Sequence, residues 1–329
     1  MDPIRRIKEV EKMREIMGTK PLNPEDLSPK TEFVRGGERI TVKMINPQPL
    51  TNFYAGMYVM AVSTWGGPYD SGIEKWNNAP VETRKDVIRA ILQRQALPLA
   101  LEHPQFLFEV SGCSRSAFDQ IARARIGTTF SSMGVRDNAH PNIDIVVPPN
   151  IYDDKESFNE FQVGVKVAKS TYSTLLGRGQ KSWQDARAVL PMGMMHRFVM
   201  NVNYAALTGF MGKRLMFCEQ YDTVAVAWKM RQELGKHYAV LAEPLRPSCD
   251  FAKKCTYHQA NALGEAFGCL FKGCGRWEDP EPYFEFNEAA AEKSDIEAWM
   301  GEAVPEGGDP ILWKKAFDLD SHFFEKEIK

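Results

Sequence analysis

The residues able to do chemistry concentrate in three stretches of the chain. The first runs Gln120-Ile-Ala-Arg123-Ala-Arg125-Ile-Gly-Thr-Thr-Phe-Ser131-Ser132-Met-Gly-Val-Arg136. Gln120 and Arg123 stand three apart and share a face if the segment is helical. The small hydroxylated residues that follow read as a loop ending in Arg136. Arginine is the side chain for planar, bidentate recognition of a phosphate or a pyrimidine edge. Serine and threonine hydroxyls beside exposed backbone N–H groups complete an anion cradle. A solvated helix face followed by an ordinary loop explains the same spacing equally well. The second stretch is split in two: Ala186-Arg187-Ala-Val-Leu-Pro191, and the apolar segment from Asn203 that closes on Lys213-Arg214. A half-buried guanidinium needs an anionic or hydrogen-bonding partner, and no local acid is placed to serve Arg187 or Arg214. The third is Cys249-x5-Cys255-x13-Cys269-x4-Cys274. Its spacing matches no standard zinc-finger or ferredoxin pattern, but four thiolates hold tetrahedral zinc or an iron–sulfur cluster. Cys218 and His258 are further ligands for such a site, and a set of ordinary thiols is the plain alternative. Cys113 reads as a packing residue.

The elements that must position these groups alternate. Residues 1 to about 35 suggest a short amphipathic helix and a Pro-rich connection. ERITVKMINP (38–47) reads as a strand, 52–62 as a helix broken by STWGGP, and 81–101 as a helix. PQFLFEVSG (104–112) alternates as a strand should, and 115–126 is helical before the Gly/Thr/Ser segment. IDIVVPPN (143–150) is a strand and 158–176 a helix. Residues 183–189, 196–217 and 224–241 are read as apolar-faced helices, and the tail from Trp277 as a peripheral acidic extension.

The composition excludes several classes. The 329 residues carry 41 Lys+Arg against 43 Asp+Glu, so no strongly basic field exists to hold duplex nucleic acid. Hydrophobic residues at 43% are too many for a disordered chain. No run approaches the roughly 20 apolar residues that span a bilayer, and the charged start MDPIRRIKEVEKMREIM is not a secretory signal. A cytoplasmic protein without membrane association is expected. In a reducing compartment the cysteine cluster points to metal before disulfide.

LEHPQFLFEV, the Gln120–Arg136 block, ARAVLP and HRFVMNVNYAALTGFMGKR, in that order and at those separations, resemble the flavin-dependent thymidylate synthase family over roughly residues 38–235. The family's Arg-His-Arg signature reads Arg123-Ala124-Arg125 here. The resemblance implies an α+β fold, a mixed sheet with long helices, flanked by helical or irregular N- and C-terminal extensions. The boundaries are 1–37, a catalytic domain at 38–245, and 246–329. It implies C5 one-carbon transfer, methylation or hydroxymethylation, to a pyrimidine deoxynucleotide such as dUMP. Methylenetetrahydrofolate is the donor, FAD the cofactor, and the nucleotide lies between subunits of a homotetramer. By position, Gln120, Arg123, Ser131, Ser132, Arg136 and Arg187 bind the nucleotide, and the register slips by one residue at the serines. Arg214 polarises the pyrimidine. Ser63, Arg123, Arg125 and Asn203 are the implied flavin contacts. The chain departs from the family where histidines are replaced by Ala124 and Leu97 and an asparagine by Gly209, and where the acid expected just before the signature serine is missing. The departures keep two alternatives open, a flavin-independent dUMP or dCMP hydroxymethylase and a non-catalytic nucleotide-binding homologue.

Overall fold

The structure, a computed structural model, describes residues 31–92, 97–135, 143–177, 183–216, 219–242 and 244–248, together with 16, 277–278 and 285–286. The architecture is α+β. The chain divides into two compact units, Met1–Val34 with Met133–Met194, and Arg35–Ser132 with Met195–Lys329.

The second unit is organised by a four-stranded antiparallel sheet in the order β2-β3-β6-β4, made of β2 (Thr41–Met44), β3 (Gln105–Ser114), β6 (Met195–Asn203) and β4 (Thr128–Ser132). Strand side chains alternate between faces, and this alternation decides which face is covered. Phe106, Phe108 and Val110 of β3 are buried on one face beside Phe198, Met200 and Val202 of β6, with Phe108 opposite Met200 and Val110 opposite Phe198. Leu107, Glu109, Arg197, Val199 and Asn201 point the other way and stay partly or fully exposed. An antiparallel sheet tolerates one solvated face. The buried face packs against α4 (Arg115–Ile121) and α9 (Tyr221–His237). The helices α1 (Leu50–Trp65) and α8 (Tyr204–Arg214) also reach the sheet, Phe53 and Tyr204 packing on Phe106 at 5.4 and 6.3 Å, while α2 (Gly72–Asn78) and α3 (Val81–Leu92) pack on α1. A β-bulge falls between Ser111 and Cys113, at Gly112. Gly112 has φ +87°, and a Cβ there would stand 2.0 Å from the Arg39 carbonyl oxygen, so only glycine fits.

In the first unit, β1 (Phe33–Arg35) pairs with β5 (Ile145–Val147). Ile145, Val147, Met194 and Val165 of the long helix α6 (Lys155–Gly177) form a small core. Around it are the short helices α5 (Pro149–Tyr152) and α7 (Trp183–Ala186), the latter running into a 3₁₀ turn, Arg187–Val189. Ala239–Ala242 is a last helical turn, α10, and Trp277–Glu278 pairs antiparallel with Glu285–Phe286. No helix among the described residues is long and apolar enough to cross a membrane.

Four expected elements are corrected. Residues 196–217 are not one helix: Met195–Asn203 is a central strand and only Tyr204–Arg214 is helical. His196, Phe198, Met200 and Val202 recur with period two, and the apolar run had masked that alternation. The stretch read as a hydroxylated loop is the edge strand β4, with Phe130 turned onto Phe118 at 6.1 Å. Of the helix expected over 81–101, Val81–Leu92 is helical among the described residues, and Pro98–Glu102 is a separate 3₁₀ turn behind Leu97. A residue before proline is disfavoured in the right-handed α region by the pyrrolidine ring, and Leu97 takes the left-handed region instead, at φ +40°. The helix at 115 stops at Ile121 instead of 126. The N-terminal helix and most of the extension after 246 lie outside the described residues.

Candidate active site

The site is built around α4. Ser114 caps its start: the Ser114 hydroxyl accepts from the Ala117 N–H at 3.1 Å, and the Ser114 N–H donates to Asp222 Oδ2 at 3.1 Å. The Ser116 hydroxyl donates to Gln220 Oε1 at 2.8 Å. The two residues that open α9 therefore hold the N-terminus of α4. Asp222 is 1% exposed and buried against the helix it anchors.

At the other end, α4 gives way to a tight turn. The Arg123 N–H reaches the Gln120 carbonyl at 3.4 Å and the Ala124 N–H reaches Ile121 at 3.1 Å. The three-residue spacing of Gln120 and Arg123 is thus kept by a turn, not by a continuing helix. Gln120 is half-buried, and Arg123 and Arg125 are exposed. The Thr128 hydroxyl donates to the Ala124 carbonyl, and Gly127, with φ +70°, swings the chain into β4. Ser131 and Ser132 follow, both exposed.

Asn203 and Arg214, at the two ends of α8, close on this turn. The Asn203 N–H donates to the Gly127 carbonyl at 3.0 Å, and its Oδ1 caps α8 by accepting from the Ala206 N–H at 2.7 Å. Arg214 is 4% exposed. Its Nη2 donates to the Gln120 carbonyl at 2.6 Å, and its Nη1 pairs with Glu219. The expectation that no local acid serves Arg214 is therefore wrong. Glu219 lies five residues on, beyond the helix end, where no helical spacing would place it. Hydrogen bonds thus tie Arg214 to Gln120 and Asn203 to Gly127, at the two ends of the segment that carries Arg123 and Arg125. Ser63 sits in the last turn of α1, exposed, with its hydroxyl donating to the Val59 carbonyl at 2.9 Å. Arg187, half-buried, belongs to the 3₁₀ turn of the first unit. Arg136 and the cysteines Cys249, Cys255, Cys269 and Cys274 lie outside the described residues. Among the described residues no group of three His, Cys, Asp or Glu side chains could hold a metal ion.

Ala124 and Leu97, which stand where the family carries histidines, are partly buried against the hydrophobic core. Cys113 is fully buried, as its packing role requires. Burial, then the nearby Asp222, push its thiol up to about 12. The sequence reading missed a groove of about 540 Å³ on the open side of the sheet, lined by Lys43, Glu109, Ser111, Arg197, Glu233 and Lys236 among others. Alternate charged positions on β2, β3 and β6 were its signal. Burial pulls the Glu233 carboxyl up, but hydrogen bonds from Lys236 and the Met44 N–H outweigh it and hold it below the usual carboxylate range. None of the residues implied by the resemblance lines this groove.

The family of thymidylate synthase complementing proteins matches residues 54–238, more than half the chain and all of the α4–β4–α8 assembly. The chain belongs to this family. The flavin-dependent thymidylate synthase of Pyrococcus furiosus is 28% identical over 249 residues, covering 73% of this chain and 96% of that one. The Pyrococcus horikoshii enzyme of the same name is 30% identical over 219 residues, covering 65% and 85%. Among solved structures, a UMP/dUMP methylase, PolB from Streptomyces cacaoi bound with 5-Br dUMP, shares the fold at TM-score 0.53 and 18% identity, over 64% of this chain and 95% of that one.

Proposed function

We propose that this chain is a flavin-dependent thymidylate synthase that methylates dUMP at C5 with methylenetetrahydrofolate, acting as a cytoplasmic homotetramer with its sites between subunits. The observation that carries the reading is the hydrogen bond from Arg214 to the Gln120 carbonyl. It seats the end of α8 against the segment that presents Gln120 and Arg123.

The chemistry asked of the residues is simple. Gln120 and Arg123 hold the nucleotide, and Ser131, Ser132 and Arg136 take its phosphate, with Arg187 as a further cation. A guanidinium paired with a phosphate forms short, charge-assisted bonds. Arg214 presents a planar guanidinium, and its buried position strengthens its pull on charge that develops in the pyrimidine ring. FAD suits the polar groups present: Arg123 and Arg125 are exposed cations for its pyrophosphate, Ser63 offers an exposed hydroxyl oxygen as acceptor, and the buried Asn203 has an amide N–H₂ not used in capping α8. When bound, reduced flavin supplies the hydride that completes a methyl group.

A second reading, hydroxymethylation without flavin, is favoured by one observation: Leu97 and Ala124 turn toward the core instead of offering imidazoles. The two readings part on a visible absorption spectrum of protein mixed with FAD and titrated with dUMP. The flavin reading expects bound flavin bands that shift on adding nucleotide. FAD that remains free throughout would refute it.

A further inference from the structure

We propose that Glu219 is a positioning residue for Arg214: it fixes the plane of the guanidinium at the nucleotide site and balances its charge. This rests on the reading of Arg214 as the group that polarises the pyrimidine.

Two independent sets of contacts point to Glu219. The first is the guanidinium itself. Arg214 is 4% exposed, and its two terminal nitrogens go to different partners, Nη1 to the Glu219 carboxylate and Nη2 to the Gln120 carbonyl at 2.6 Å. A guanidinium is planar with five N–H donors, so anchoring both terminal nitrogens sets the plane and leaves three donors. A buried cation with a single carbonyl partner would be unbalanced, and the carboxylate removes that cost. The Glu219 side chain is only 11% exposed, so water does little to screen the pair.

The second set lies in the same segment of chain. Immediately after Glu219, Gln220 accepts from the Ser116 hydroxyl at 2.8 Å, and Asp222 accepts from the Ser114 N–H at 3.1 Å. Residues 219–222 therefore grip α4 at its N-terminus directly and at its C-terminus through Arg214. The seven-residue helix is about 10 Å long, short enough for one segment to bracket it. Gln120 and, one turn on, Arg123 are presented from the bracketed end. Moving Glu219 would move Arg214 and loosen the seat of both.

The charge balance has a consequence of its own. The ring of a bound nucleotide feels the Arg214–Glu219 pair, not a bare cation. Glutamine at 219 keeps an acceptor for Nη1 but removes the negative charge, so the field of Arg214 on the ring rises. The ring should then lose its N3 proton at lower pH, because a cation favours the anionic form.

The test uses 5-bromo-dUMP, whose bound ring ionisation is followed by ultraviolet absorbance against pH in the full chain. E219A should weaken binding at least tenfold, and E219D should recover part of the loss. E219Q should bind within about threefold of the parent yet ionise the bound ring about one pH unit lower. A stability defect alone would not move that titration, so E219Q decides the matter even if E219A fails to fold. E219Q and parent titrating together overturn the charge-balancing role. E219A binding like the parent overturns the positioning role. A parent that does not bind 5-bromo-dUMP overturns the reading of the nucleotide site itself, and this inference with it.

Discussion

Gly127 is the point where the arginine-bearing turn, the edge strand and the start of α8 meet, and its replacement by alanine should disturb all three. The residue sits at φ +70°. A side chain in the left-handed region costs about 1–2 kcal/mol. An added Cβ would lie 2.6 Å from Asn203 Nδ2, 2.9 Å from Asn203 Oδ1 and 2.8 Å from the Ala206 Cβ. Asn203 must then give way, and with it the cap on α8, worth about 1 kcal/mol. Gly127→Ala should therefore lose about 2–3 kcal/mol in urea unfolding. The displaced turn should also weaken dUMP binding by about tenfold or more, each factor of ten being about 1.4 kcal/mol. In an Asn203→Ala background the same methyl should cost about 1 kcal/mol less, because the cap it breaks is already gone and only the Ala206 clash remains. Gly164, in α6, is the control: a Cβ there meets nothing within 4 Å. Gly164→Ala should stabilise by roughly 0.5–1 kcal/mol. A Gly127→Ala loss below about 0.5 kcal/mol, or a loss unchanged by Asn203→Ala, would refute the coupling of turn and cap.

Glu233→Gln should cost about 1 kcal/mol at pH 7, since an acceptor oxygen remains but the charge that strengthens its hydrogen bonds is lost. The Glu233 carboxyl is held below its usual range in the folded protein, so its contribution is present above the unfolded value of about 4.3 and is lost as pH falls through the folded value. The gap between parent and variant in urea midpoints should thus close below about pH 4; a gap that persists in acid would contradict the carboxylate assignment. Cys113, with its thiol pushed up to about 12, should escape iodoacetamide in the native protein at pH 8 and react once unfolded, as read by peptide mass mapping. Arg123→Ala should weaken dUMP binding while leaving the urea midpoint unchanged, because the side chain is exposed; an equal loss of stability would place Arg123 in the fold and not in the site.

What the sequence made legible follows from how local each signal is. PQFLFEVSG alternates cleanly and was read as the strand β3, and the long α6 announced itself by its helical period. HRFVMNVN was harder. Its alternation is real, but it joins an apolar helix without a turn, and a continuous apolar run cannot be assigned by periodicity alone. Asn203 was itself a boundary signal, a preferred N-cap residue, although it was read only as a cofactor contact. The hydroxyls of Thr128–Ser132 suit an anion-binding loop, yet its two threonines and Phe130 are strand formers. The candidate residues of one segment, Gln120 to Ser132, stand together in the sequence, and the family resemblance supplies the roles proposed for them. The partner of Arg214 is not legible in this way, since Glu219 reaches it only after the chain turns back past the helix end. The open-face groove was hidden for a similar reason. Lys43, Glu109 and Arg197 lie on three strands whose register only the folded sheet reveals.

The most direct measurement is the mass of the nucleotide formed when the purified protein is supplied with dUMP, methylenetetrahydrofolate, FAD and a reductant. A C5-methylated product, thymidylate, is the result the site predicts, and it should disappear in Arg214→Ala. A hydroxymethylated nucleotide would show that the one-carbon unit is transferred without reduction. Unchanged dUMP under every reductant would contradict the enzyme reading outright.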